Sequence, residues 1–577
     1  MVANKMDRAA DDAVVLGIDA GGTHTDAVLC AGGKILGCGK VATEQDNLPH
    51  CIANVLDELV RDCGQDALGK VQRVTLGTTL LVNACVQDKL DKVGLVLSAG
   101  PGLNPMRFAM GDYVCVVPGG LDHRGVEVTP LQLQKLAGEL AKWKKEGVGA
   151  LACAGKFSPR NPAHELAMAE ECARVFPQDA MTLGHRLGGE LNFPRRIASA
   201  YYNSASLRLH NAFLDAVLDT LQHKGCTAPV FLLRADGGSM PCAASRLFPV
   251  HSLLSGPAAS VMGVMALQKG LEDQCTLLLD MGGTTTDLAV FVDGSPVMDQ
   301  DGMKLGGRRT LVRSLATVSI GIGGDSVLRA VNGSVQVGPD RMGPAAAFGG
   351  KMATLLDALN ILNSEGGGDE TAGSLEQSRQ SLQSLADELG KSLPEASAMA
   401  WETAAEAIGS AIKSLVADIN ERPIYTLREL KAHEDARPCR VALTGGPALC
   451  VRHHLERALS LPVCPVPQAD VANAAGAALT RPSARLEVYA GTEKGTLLAP
   501  AFDITEKLPR NASLEYVKDR SLALLKEKLA QEGIGDLPLQ ITSADLFATL
   551  TDSGYGSRDM RVVCQTVPGL AARLYQD

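Results

Sequence analysis

Asp19-Ala-Gly-Gly-Thr-His-Thr-Asp26 and Asp280-Met-Gly-Gly-Thr-Thr-Thr-Asp287 repeat one pattern, D-x-G-G-T-x-T-D, within a single chain. Each octapeptide follows an apolar run (14–18 and 277–279) and precedes another (27–30 and 288–292). A strand, a tight glycine turn and a second strand is the local reading in both places. Paired glycines let the backbone approach a phosphate, and the threonines add hydroxyl and amide donors. The leading carboxylates, Asp19 and Asp280, can hold a hydrated magnesium ion or orient a water. The trailing Asp26 and Asp287 can do either or brace the turn. A duplicated phosphate hairpin implies two like lobes facing each other across a nucleotide.

The rest of the chain is consistent with that reading. At 577 residues it is too long for one core. A hydrophobic share of 46% with 21% charged residues is that of an ordinary globular protein. A net charge of −10 argues against nucleic acid or an anionic membrane as partner. No apolar run reaches the roughly 20 residues that span a bilayer. The first twelve residues carry three acids and two bases, so no secretory signal is expected and the chain reads as cytoplasmic. Fifteen cysteines without a C-x-x-C pair read as buried thiols in a reducing compartment, not as a metal, iron–sulfur or disulfide framework.

Strands alternate with helices along the first half, which argues for an α/β architecture. Helices are expected over 48–63, 80–88, 129–146 and 195–223, with Pro130 suited to a first turn. Strands are expected over 71–79, ending there in a loop, and over 92–97, 147–153 and 230–233. Gly366-Gly-Gly-Asp369 reads as a linker, followed by two or three helices over 370–421. Arg440-Val-Ala-Leu-Thr-Gly-Gly-Pro447 is a strand running into a glycine turn, where Gly445 and Gly446 would let a base and ribose lie on bare backbone. Asp470 to Gly476 reads as a helix start. These features divide the chain into a first lobe (1–195), a second lobe (196–481) with a helical insertion (366–421), and a small α+β segment (482–577).

The order of these motifs resembles the actin, Hsp70 and sugar-kinase superfamily of ATPases, whose two lobes are ribonuclease H-like. Further stretches look like the hydantoinase A and oxoprolinase family within it: Leu76-Gly-Thr-Thr-Leu-Leu-Val-Asn83, Asp236-Gly-Gly238, Leu254-Ser-Gly-Pro-Ala-Ala259, Gly321-Ile-Gly-Gly-Asp-Ser326 and Val471-Ala-Asn-Ala-Ala-Gly-Ala-Ala478. The resemblance implies ATP and Mg2+ as cofactors and a cyclic amide, such as a hydantoin or 5-oxoproline, as substrate. It implies that Asp19 and Asp280 manage magnesium and water. Gly21, Gly22, Thr23, Thr25, Asp26, Gly282, Gly283, Thr284, Thr285 and Asp287 would surround the phosphates, and Gly445 and Gly446 the adenosine. Thr78, Thr79, Asn83, Asn203 and Ser255 are candidates for the cleft. A second, hydantoinase B-like subunit is implied as partner. Moving the γ-phosphoryl group of ATP onto an unreactive amide oxygen would make its carbon open to water. The alternatives are a carboxylase subunit, a partner-dependent activating ATPase and a small-molecule kinase.

Departures from the family pattern concentrate in the substrate half. The family's Asp-x-His pair before the Gly321 loop is Ala316 and Val318 here, which ligate nothing. Phe193-Pro-Arg-Arg196 replaces a Glu-Tyr-Glu-Arg stretch, and His24 stands where an aromatic is usual. His24 is expected to face solvent, His453-His454 to lie on a solvated helix face, Cys85 to be a core thiol, and Arg308, Arg309 and Arg313 to form a surface cluster.

Overall fold

Both octapeptides form antiparallel hairpins in the computed structural model, which describes residues 13–100, 102–299, 301–366, 370–421, 435–550 and 556–575. Strand Val15–Ala20 pairs with His24–Ala31, setting Asp19 opposite Asp26. Strand Thr276–Met281 pairs with Thr286–Val292, setting Asp280 opposite Asp287. The apolar runs that flank the turns are buried on both faces, so each hairpin is a rigid platform at the centre of its sheet.

The two sheets repeat one topology. In the first, Lys34–Ala42 lies outside the hairpin, and Arg73–Thr78 and then Val230–Leu233 add in parallel on the other side. In the second, Thr317–Ile320 takes the outer place, and Arg440–Thr444 and Val463–Pro465 add in parallel. Two ribonuclease H-like halves with duplicated hairpins are therefore present. The first sheet also takes Ser239–Pro241 at its edge. A boundary at 195/196 would thus remove a central strand from the first lobe, because 230–241 lies beyond it in sequence.

A four-stranded parallel sheet (Met181–Leu183, Ala150–Gly155, Val93–Ser98, Tyr113–Val116) is inserted into the first lobe. Helix Phe193–His223 joins insert and lobe. Its N-terminal half packs Ile197 and Ala200 into the core of the insert, and its C-terminal half packs Leu214 and Val217 into the core of the lobe. The helix expected over 129–146 is shorter, Gln134–Lys145, and is preceded by strand Glu127–Thr129. Thr129 precedes Pro130, and the proline ring disfavours helical geometry in the residue before it.

Helices Leu355–Glu365, Leu375–Leu389 and Leu393–Asn420 pack against the second sheet, so the helical unit begins before residue 366. Capping boxes at Thr354/Asp357 and Ser392/Glu395 fix two of their starts. Residues 367–369 of the expected linker lie outside the described residues. The C-terminal segment is a five-stranded antiparallel sheet covered by helix Leu514–Gln531.

Two helices cross between the lobes, Ser255–Leu267 and Ala472–Leu479. They touch through backbone: a Cβ on Gly476 would stand 2.3 Å from the Gly263 nitrogen. Strand Val15–Ala20 presses on the second helix in the same way, and a Cβ on Gly17 would stand 1.9 Å from the Ala474 oxygen. Only glycine fits there. Among the described residues no helix is long and apolar enough to cross a membrane, and all fifteen cysteines are free.

Candidate functional site

The two glycine turns meet tip to tip. Thr23 Oγ1 lies 3.4 Å from Thr284 Oγ1, across the boundary between the lobes. Each turn is closed by its first glycine: the Gly21 amide donates to His24 O at 3.1 Å, and the Gly282 amide to Thr285 O at 2.9 Å. Residues 21–23 and 282–285 are half-buried, which leaves them open to a ligand, and His24 is exposed as expected. Thr25 points the other way. Its fully buried hydroxyl is 2.9 Å from that of Thr43, so it braces the hairpin and does not face the cleft.

Beneath the turns the carboxylates sit in an unusual setting. Asp19 and Asp280 are 4% and 8% exposed. Burial, reinforced by Asp26 and Asp280, pushes the Asp19 carboxyl from 3.8 up to about 7. Burial also raises Asp280, against the pull of hydrogen bonds from Ser260 and Asn473. Ser260 Oγ donates to Asp280 Oδ2 at 2.5 Å. Asp287 is pushed up to about 7 by burial and by Asp280. Asp26 reaches about 6, raised by burial and held down by Lys40, whose Nζ lies 2.7 Å away. Two oxygens, Asp19 Oδ1 and Asp287 Oδ1, are out of solvent with no partner.

Such a set suits a cation. Buried carboxylates with orphaned oxygens carry desolvation that a divalent ion relieves, and hard oxygen donors are what magnesium takes. The turn amides and threonines offer the complementary anion cradle. Among the described residues no group of three or more His, Cys, Asp or Glu side chains could hold a metal by itself, so the fit would be to a magnesium ion carried in with a nucleotide and its waters.

Sequence reasoning singled out neither Asn473 nor Lys40. The Asn473 side chain, at the start of crossing helix Ala472–Leu479, interacts with both Asp19 and Asp280. Lys40 ties Asp26 to the Asp470 carbonyl, 2.8 Å away. The loop 321–325 lies over the second turn, with the Gly324 amide on Gly282 O at 2.9 Å and the Asp325 amide on Gly283 O at 2.7 Å. Asp325 then pairs with Arg341 at 3.0 Å. Gly445 (φ +99°) packs against Met281 and Asp280, whereas a Cβ on Gly446 would meet nothing within 4 Å.

Of the cleft candidates, four gather at the first turn. Ser255 Oγ donates to Thr78 O at 2.9 Å and accepts from the Thr78 amide at 3.2 Å. Asn83 reaches Thr79 Oγ1 at 3.3 Å and Gln45 at 3.2 Å, and Gln45 donates to Gly22 O at 2.7 Å. Asn203 is not brought to this cluster. It is 1% exposed, and its amide is used by Thr182, the Leu247 carbonyl and the Val250 amide. Ala316 is buried and Val318 pairs with Leu288 in the sheet. His453 is half exposed beside Glu456, while His454 packs on Trp401 and binds Asn363. Arg308 and Arg309 are exposed as expected, but Arg313 turns inward.

Duplicated ribonuclease H-like halves with facing phosphate hairpins define an actin-like ATPase fold. Within that class the chain belongs to the hydantoinase/oxoprolinase family: the family's N-terminal region matches residues 15–176 and its main domain residues 196–486. A caprolactamase subunit alpha from Pseudomonas jessenii is 24% identical over 400 residues, covering 63% of this chain and 56% of that protein. A 5-oxoprolinase 1 from Arabidopsis thaliana is 24% identical over 478 residues, covering 72% of this chain and 37% of that protein. The chain thus spans about half the length of the curated relatives it matches. Among solved structures, a nucleotide-free acetone carboxylase aligns with a TM-score of 0.69 at 16% identity, over 97% of this chain and 88% of that one. An ATP-dependent caprolactamase from Pseudomonas jessenii aligns at 0.68 and 18%, with the same coverages. At those identities the likeness is one of fold.

Proposed function

We propose that this chain is an ATP-dependent cyclic amidase, which activates a lactam or hydantoin carbonyl by phosphoryl transfer in the cleft between the two hairpins. The observation that carries the reading is the pair of buried carboxyls, Asp19 and Asp280, under two phosphate turns in contact at Thr23 and Thr284. ATP bound with magnesium would supply the phosphoryl group, which the amide oxygen accepts. The chain's own part is positioning and charge. Amides of 21–23 and 282–284 hold the phosphates, Gly446 leaves room for the adenosine, and Asp280 is held in one orientation by Ser260 and Asn473. Asp19 Oδ1, unpartnered and titrating near neutrality, takes the proton of the attacking water.

A partner chain belongs to the reading. Relatives carry the names caprolactamase subunit alpha, acetophenone carboxylase gamma subunit and acetone carboxylase beta subunit, and each is one piece of an assembly. Ala316 and Val318, in place of two ligating side chains, favour a carboxylase subunit or partner-dependent ATPase as the second reading. One experiment separates them: ADP release by the purified chain, alone and with hydantoins, 5-oxoproline, other lactams and bicarbonate. Stimulation by one cyclic amide, with ring-opened product matching ADP, supports the amidase. Stimulation by bicarbonate alone rejects it, and stimulation by no member of the panel moves the reading to a chain that works only with its second subunit or as a partner-dependent ATPase.

A further inference from the structure

A cavity of about 570 Å3 lies away from the hairpins, where the edge of the first-lobe sheet, the inserted sheet and the C-terminal segment meet. That is within the range of small-molecule sites. Its walls carry Arg234, Arg313 and Arg485, with His251, Ser483 and Glu487. Other charges there cancel in pairs, Arg186 with Asp503 at 2.9 Å and Lys528 with Glu532 at 3.3 Å.

The remaining charges do not cancel. Arg234 meets Asp236 at 3.3 Å, Arg485 stands 3.6 Å from Glu190, and Arg313 donates to the neutral amide oxygen of Gln565 at 2.6 Å. Three guanidiniums thus share two carboxylates. Two residues along the same strand from Arg485, Glu487 is 3% exposed, and its Oε1 takes both Tyr489 OH and Arg561 Nε at 2.5 Å. Its Oε2 has no partner. Arg234 Nε, His251 Nδ1 and Ser483 Oγ are likewise out of solvent and unpartnered. Burial beside Arg234 keeps His251 neutral, at about 3. These four polar atoms take no partner from the chain itself, and each costs about 1–3 kcal/mol if left so.

We propose that this cavity is a second ligand site, specific for a small amino acid whose carboxylate lies among Arg234, Arg313 and Arg485 and whose ammonium donates to Glu487 Oε2. Planar guanidiniums match a carboxylate, and the spare oxygen of Glu487 matches a cation. Both charges on one molecule satisfy Arg313 and Glu487 Oε2 together, whereas a simple anion leaves Oε2 without a partner. The inference rests on these residues alone and does not depend on the reaction assigned to the cleft.

Calorimetry on the full chain tests it with glutamate, 4-aminobutanoate and 6-aminohexanoate as probes, against hexanoate, hexylamine and inorganic phosphate. At least one amino acid should bind about tenfold more tightly than each single-charge control. Arg313→Gln should weaken it by about tenfold or more, and Glu487→Gln should weaken the amino acid while leaving hexanoate unchanged. Thermal melts establish that each variant folds, and Arg485→Gln, at a more exposed position, replaces Glu487→Gln should that variant not fold. No binding by any of the three amino acids, phosphate binding as tightly as they do, or unchanged affinity in Arg313→Gln overturns the proposal.

Discussion

Replacing Asp19 by asparagine should make the ligand-free protein more stable, in a pH-dependent way, while removing its turnover. Asp19 is 4% exposed, and its carboxyl is raised from 3.8 to about 7 by burial and by neighbouring Asp26 and Asp280. A carboxyl raised on folding favours the folded state when protonated. That contribution is complete below pH 3.8, is lost as pH rises through about 7, and is absent above it. The shift of about three units corresponds to about 4 kcal/mol against the folded state at alkaline pH. An amide never ionises and can still pair with Asn473, so about 1 kcal/mol at most is lost with the changed hydrogen bonding. Urea unfolding at about pH 8 should therefore find Asp19→Asn more stable by about 2–4 kcal/mol, a gap that closes toward about pH 4. Magnesium with ADP should stabilise the parent more than the variant, and ATP turnover should fall by about a hundredfold or more. A variant equal to or weaker than the parent at alkaline pH, or a gap independent of pH, would refute the reasoning.

Further predictions concern neighbouring positions. Gly445→Ala places a Cβ 2.1 Å from Met281 O at φ +99° and should lower the melting temperature as well as abolish nucleotide binding, whereas Gly446→Ala, with nothing within 4 Å, should weaken nucleotide binding without changing the melt. Asn203→Ala should cost about 2 kcal/mol in unfolding experiments through three abandoned partners, with ADP affinity unchanged. Lys40→Met removes the group that holds Asp26 down, so a magnesium-dependent pH–rate profile should move to higher pH on its alkaline-favoured limb. An unmoved limb would separate Asp26 from the chemistry.

The hairpins were legible because everything that makes them is local: apolar runs, paired glycines and threonines within eight residues. The same holds for helix Leu48–Cys63 and strand Val230–Leu233, whose bounds the pattern marks directly. What lay hidden depends on contacts made only by folding. Asn473 reaches Asp19 from the far end of the chain, and nothing in Val471-Ala-Asn-Ala distinguishes a cap from a ligand to two carboxyls. Nothing local marks Lys40, which only the strand register sets beside Asp26. Asn203 misled for the opposite reason, since a buried amide serves distant parts of the chain, here the Thr182 hydroxyl, the Leu247 carbonyl and the Val250 amide, as readily as a substrate. Sheet membership also crosses the sequence: Val230–Leu233 returns to a sheet begun at residue 15, and local pattern carries no record of such a return.

The crossing of helices Ser255–Leu267 and Ala472–Leu479 behaves as a bearing. Interlocked side chains resist rotation, because ridges must climb out of grooves before a helix can turn. Here the contact surface is Gly263, Gly476 and flanking alanines, with backbone against backbone and few rotamers to disturb. One helix carries Ser260 to Asp280 and the other carries Asn473 to both carboxyls, so any turn at this crossing would move the groups that hold Asp19 and Asp280. A rotation of one lobe against the other would meet least friction at this crossing, and a single methyl group added at Gly476 would seize it.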